Sequence, residues 1–95
     1  MSPTPNAFRI EGELTIYRAA ELAPALKSAL DAVPAGEALT VDLGAVGEMD
    51  CAGVQLLVAA RRSARESGRV LRLGERSAAA AEVLRTLALD PLFAE

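Results

Sequence analysis

Any chemistry in this chain would have to come from Asp42, Asp50 and Cys51, because the sequence has no histidine, one cysteine and one lysine. Without an imidazole, neither a Ser/His/Asp nor a Cys/His set can be assembled. Lys27 belongs to no glycine-rich phosphate loop. Cys51 stands at a predicted helix start, a position that favours reactive thiols. The adjacent Asp50 opposes that effect, and no base is available, so a small packed side chain is the stronger reading than a nucleophile or redox sensor. Asp42 and Asp50 would make an acid/base pair only if a cleft joined them. Each also stands at the end of a predicted strand or the start of a helix, where a carboxylate serves as a cap or hydrogen-bond acceptor. A single cysteine excludes an internal disulfide, and no metal-ligand spacing surrounds it. Neither a metal nor a cofactor is expected.

The richest segment runs from Gly47 through Met49-Asp50-Cys51-Ala52-Gly53-Val54 to Leu57. It carries the chain from a strand into a helix, where backbone amides are unpaired and the helix dipole is positive. Asp50 is suited to cap those amides, and Gly53 leaves room for another backbone to approach the first turn. Two readings follow: a helix cap with a close-packing glycine, or an exposed loop that a partner protein recognises.

The flanking elements must position that segment. Phe8-Arg9-Ile10 and Leu14-Thr15-Ile16 alternate apolar with polar residues, the period of half-buried strands, and Glu11-Gly12-Glu13 between them suggests a hairpin turn. Leu22, Ala25, Leu26, Ala29, Leu30 and Val33 form one apolar helical stripe, with Pro24 near its start and Pro34 and Gly36 ending it. Leu39–Leu43 is a strand stopped by Gly44. A helix over 52–67 follows, with Val54, Leu57, Val58 and Ala64 facing inward. Val70–Leu73 is the next strand, before Gly74. Ser77 caps a last helix through about Ala88, with Ala80, Val83, Leu84 and Leu87 as its stripe. Asp90-Pro91 breaks that helix, and Leu92-Phe93 is expected to fold back. Residues 1–6, with two prolines, read as a flexible arm ahead of one domain over 7–95. Strands separated by helices predict an α/β domain with at least one parallel pair.

Composition narrows the function classes. The chain has 95 residues, 52% of them hydrophobic, which suits one small globular domain. Its net charge of −3 gives no general attraction to nucleic acid or anionic lipid. No apolar run approaches the roughly 20 residues of a membrane span, and the first residues lack the blocks of a signal peptide. A cytoplasmic protein without direct membrane insertion is expected. Arg61, Arg62, Arg65, Arg69, Arg72 and Arg76 gather within sixteen positions of this acidic chain. A solvated helix face explains them by default, and a secondary docking patch for an acidic partner, centred on Arg61, Arg62 and Arg65, is the alternative. No aromatic residues are interleaved with them, so nucleic-acid binding is not expected.

On these residues the chain resembles the STAS family, named for sulfate transporters and anti-sigma factor antagonists. The resemblance spans about residues 8–93. It rests on the opening strands and long helix, the Asp near the end of Leu39–Leu43, and the Met-Asp-x-x-Gly-Val-x-x-Leu run from Met49 to Leu57. It implies a SpoIIaa-like α/β fold, with a four- or five-stranded mixed sheet covered by three or four helices. It also implies a non-enzymatic module that binds protein through Met49, Asp50, Cys51, Ala52, Gly53 and Val54. In partner-switching members, the residue before the loop glycine is a serine or threonine whose phosphorylation blocks binding to an anti-sigma factor with kinase activity. Ala52 occupies that position and has no hydroxyl, so this switch is absent and constitutive binding is the simplest expectation. The resemblance thus points to an anti-sigma factor antagonist-like module of bacterial signalling. Two alternatives are a cytoplasmic accessory subunit that binds the ATPase of a phospholipid-transport ABC system, and a small-molecule or nucleotide sensor.

Overall fold

A computed structural model describes residues 6–89, which alternate strictly between strand and helix. The expectations for residues 1–5 and for Asp90-Pro91 and Leu92-Phe93 lie outside the described residues. The predicted hairpin does not form. Ala7–Leu14 is one continuous strand, β1, and Gly12 sits inside it at φ +81°. A left-handed glycine serves a bulge as well as a turn. Here the register against the next strand slips between Arg9 and Glu11 and again between Gly12 and Glu13. Arg18 clasps the irregularity, its Nη1 donating to the carbonyls of both Glu11 and Glu13. Thr15 and Ile16, read as the end of a second strand, instead open helix α1, Ile16–Asp31. That helix starts well before Pro24, which lies midway along it rather than in its first turn.

The remaining elements are β2, Ala38–Met49; α2, Cys51–Glu66; β3, Val70–Arg76; and α3, Ala78–Thr86. Gly44 and Gly74 lie within strands that run past them. The Ser77 hydroxyl accepts from the Ala80 amide at 3.1 Å, the cap expected for α3, but the helix stops short of Ala88. The described sheet has three strands in the order β1-β2-β3, both pairs parallel. The expected four- or five-stranded mixed sheet is corrected accordingly. Without the hairpin there is no antiparallel pair among the described residues, and each strand reaches the next through a helix, as parallel pairing requires.

Both crossovers step the same way across the sheet, and right-handed crossovers of that kind place their helices on one face. In agreement, α1 and α2 pack side by side, α1 against β1 and α2 against β3, while α3 packs against β2 and β3. Ile10, Leu14, Val41, Leu43 and Leu71 meet Leu26, Leu30, Leu57 and Leu84 in one apolar core. Alternation along the strands sends Arg9, Thr40, Asp42 and Arg72 to the opposite face. There Arg9 pairs in register with Asp42, and Thr40 with Arg72. Parallel sheets are commonly covered on both faces; this one is polar and half-open on its outer side.

Leu57 is fully buried where α2 meets the rest of the core. Leu57→Ala is expected to cost about 2–5 kcal/mol, a large share of the roughly 5–10 kcal/mol available to a small domain. Urea denaturation measures it, and a loss under about 1 kcal/mol would mean that the packing at this position differs from that described.

Candidate functional site

The expected loop is a tight junction. β2 ends at Met49, α2 begins at Cys51, and Asp50 alone lies between them as the N-cap. Its Oδ1 accepts from the Gly53 amide at 3.0 Å, and its Oδ2 accepts from the Ile16 amide at 3.1 Å. Ile16 is the first residue of α1. Its neighbour Thr15 holds the N-cap position without capping, because the Thr15 hydroxyl donates to the Glu13 carboxylate instead. One carboxylate therefore serves the starts of two helices whose sequences lie 34 residues apart. The Gly53 amide first, then the Ile16 amide, hold the Asp50 carboxyl below the ordinary aspartate range, against a smaller opposing effect of burial.

Gly53 has a steric reason to be glycine. A Cβ there would stand 2.1 Å from the Leu14 carbonyl oxygen and 2.9 Å from the Leu14 Cγ. The first turn of α2 thus lies directly on the end of β1. The Asp50 amide donates to the same Leu14 carbonyl at 3.3 Å.

The sequence-predicted site residues divide by exposure. Met49, Gly53 and Val54 are buried, Asp50 and Ala52 are half-buried, and Cys51 is exposed. The surface available to a partner is therefore Cys51, Ala52 and what adjoins them, not six consecutive loop residues. On the α1 side, Ile16 is 64% exposed and Tyr17 88% exposed, unusual for large apolar side chains beside a domain's core. On the α3 side, Met49, Asp50 and Cys51 share a shallow depression of about 390 Å³ with Glu82, Val83, Thr86 and Leu87. Leu87, expected in the buried stripe of α3, is 43% exposed at the rim of this depression. Ile16, Tyr17 and Leu87 were not singled out from the sequence. The signal available was Tyr17, one of only three aromatic residues, placed directly after a strand.

The chemical alternatives are not brought together. Asp42 lies back along β2, roughly 25 Å from Asp50 at the ordinary strand rise. Its Oδ1 accepts from the Gly44 amide at 2.8 Å and its Oδ2 lies 3.8 Å from Arg9 Nη1. No group of three metal-ligating side chains exists among the described residues, and no described helix is long and apolar enough to cross a membrane. Arg61, Arg62 and Arg65 occupy later turns of α2, away from the junction.

A family model described as Mlab, STAS domain matches residues 2–94. The chain belongs to the STAS domain family. No curated relative matches it. Three solved structures carry the same fold. One is an anti-sigma factor antagonist from Mycobacterium paratuberculosis, with a TM-score of 0.75 and 23% identity over 97% of this chain and 78% of that one. The second is the anti-sigma factor antagonist SpoIIAA in its unphosphorylated form, at 0.71 and 21% over 90% and 73%. The third is a sulfate transporter family protein from Wolinella succinogenes, at 0.72 and 18% over 98% and 75%. Within this STAS domain, Asp50 and Gly53 account for the Asp-x-x-Gly spacing as a shared cap and a close backbone contact.

Two measurements test that account. Gly53→Ala is expected to destabilise the domain by about 3 kcal/mol, because the clash is with backbone and cannot relax by rotamer change; an unchanged thermal midpoint would refute the contact with Leu14. Asp50→Asn should lower stability at neutral pH. The native carboxyl titrates below its unfolded value, so its contribution is complete above the unfolded pKa and disappears as pH falls through the folded one. The gap between wild type and Asp50→Asn should therefore narrow as pH drops below about 4. A gap independent of pH would assign the effect to geometry alone.

Proposed function

We propose that this STAS domain is a non-enzymatic, cytoplasmic protein-binding module of a bacterial regulatory system. It docks its partner through the first turn of α2 and the adjoining first turn of α1. The observation that carries this reading is the group of uncovered apolar side chains around the α2 start: Ile16 and Tyr17 to one side, Cys51 and Ala52 in the middle, Leu87 to the other. Large apolar groups held exposed on a rigid framework are the usual marks of an interaction surface, and tyrosine is prominent among residues that anchor one. The absence of histidine from the sequence and the separation of Asp42 from Asp50 speak against hydrolytic or acid/base chemistry.

An anti-sigma factor antagonist-like role is supported by the likeness to SpoIIAA and to the mycobacterial antagonist. Ala52, which has no hydroxyl to phosphorylate, sets this chain apart from members switched at that position. The family description names Mlab rather than an anti-sigma factor antagonist. For these two reasons an accessory subunit that binds an ABC ATPase stands beside sigma control as the second reading. In both, the partner meets Ala52 as a small neutral side chain and binding is constitutive.

Copurification of the tagged protein from its host identifies the partner class: a kinase-like regulator for the first reading, an ABC ATPase for the second. With that partner in hand, Ala52→Glu is expected to weaken binding at least tenfold, by placing an unpaired charge in an apolar contact. Isothermal titration measures it. An unchanged affinity for a folded Ala52→Glu variant would move the interface away from this surface.

A further inference from the structure

The arginine-rich stretch is explained neither by the fold nor by docking at the start of α2. Residues 61–76 carry six arginines and two acids, whereas the first sixty residues carry three basic side chains against eight acidic ones. Several of the six have structural work. Arg69 donates from Nε to the Val33 carbonyl at 2.5 Å and from Nη1 to the Ser67 carbonyl at 3.3 Å, tying the α2–β3 turn to the end of α1. Arg65 lies in the last turn of α2, where a cation complements the helix dipole. Among the described residues, Arg62, Arg65 and Arg72 nonetheless take part in none of the ion pairs. Like charges held close without counterions repel one another, an arrangement that an anionic ligand relieves.

Their placement says what shape the ligand has. The side of α2 that meets α1 presents Leu56, Ala60 and Ser63. Arg61 and Arg65 instead border a depression of about 300 Å³ with Gly68, Arg69, Val70 and Leu71, where α2 passes over the start of β3. Among the described residues β3 is an outer strand, paired with β2 on one side only. Arg72 projects from β3 to the other face of the sheet, beside Thr40. The open edge of β3 therefore runs between cations on both of its sides. An added strand would form backbone hydrogen bonds with that edge while its side chains alternated between the two faces. Carboxylates at successive positions would meet Arg65 on the helix side and Arg72 on the outer side, and guanidinium groups pair with carboxylates in a planar fork.

We infer that the β3 edge, flanked by Arg65 and Arg72, binds an acidic extended segment of another protein, which adds to the sheet as a strand. This surface is separate from the start of α2 and does not depend on what binds there. Duplex nucleic acid fits it less well, because it has no strand to offer the edge. An anionic membrane would use the charges but leave the β3 backbone groups unpaired.

The probe is a capped peptide of about eight residues repeating Glu-Glu-Val-Val, so that carboxylates project to both faces of the added strand, at the length of an ordinary strand, titrated into isotope-labelled protein. Saturable binding is expected, with amide shifts over residues 61–73 and slowed hydrogen exchange over 70–73. The Arg65→Glu/Arg72→Glu double variant, checked for folding by circular dichroism, should bind about tenfold more weakly, as the loss of two exposed charge pairs predicts. Arg72→Glu, read in the same way, covers the case in which the double variant fails to fold. No saturable binding, equal affinity of the folded variants, or a matching Lys–Val peptide binding equally well would each overturn the proposal. So would tighter binding to duplex DNA or to phosphatidylglycerol vesicles than to the acidic peptide.

Discussion

The architecture depends on one half-buried junction where the end of β1, the start of α1 and the start of α2 converge. Each helix begins with amides that have no partner within the helix. In this chain a single carboxylate, Asp50, satisfies one such amide from each helix. That arrangement requires the two helices to start side by side, and it is sterically possible only because Gly53 brings the α2 backbone against the Leu14 carbonyl. Remove the glycine and the carboxylate loses its second helix; remove the carboxylate and α1 has no side-chain cap at all. Of the side chains proposed to meet a partner, Ile16, Tyr17, Cys51 and Ala52 stand within two residues of that junction, and only Leu87 comes from the end of α3.

This constraint also explains the distribution of polar groups. With both crossover helices on one side, the sheet has a single apolar layer, and its other side carries charges that interact across strands, as Arg9 does with Asp42. The fold is thus two layers thick rather than three. Ala64 and Ala80 are fully buried, and small side chains there keep the helices close to the sheet without the bulk of aromatic residues.

Much of this was legible in the sequence, and the misreadings share a physical cause. α2 was readable because its determinants are local: Asp50 and Gly53 lie within four positions of each other, and Val54, Leu57 and Ala64 repeat at helical spacing. The cap of α3 by Ser77 was readable for the same reason. β1 was misread as a hairpin because a glycine with positive φ suits a turn and a bulge equally. What selects the bulge is Arg18, six residues away, together with the register against β2. The start of α1 was misplaced because its cap comes from Asp50, far along the chain, while Pro24 mimicked a helix start. For the site, residue types identified the segment 49–54 but not which of its members face outward. Ile16, Tyr17 and Leu87 join it only through tertiary packing, which no local pattern encodes.

The sixteen residues of α2 have a consequence of their own. At 1.5 Å per residue the helix is about 24 Å long, so its Cys51 end and its Arg65 end are farther apart than the width of a second helix. The junction at Asp50 and the turn into β3 thus occupy opposite ends of one rigid element, so strain or order imposed at either end is carried along the same helix.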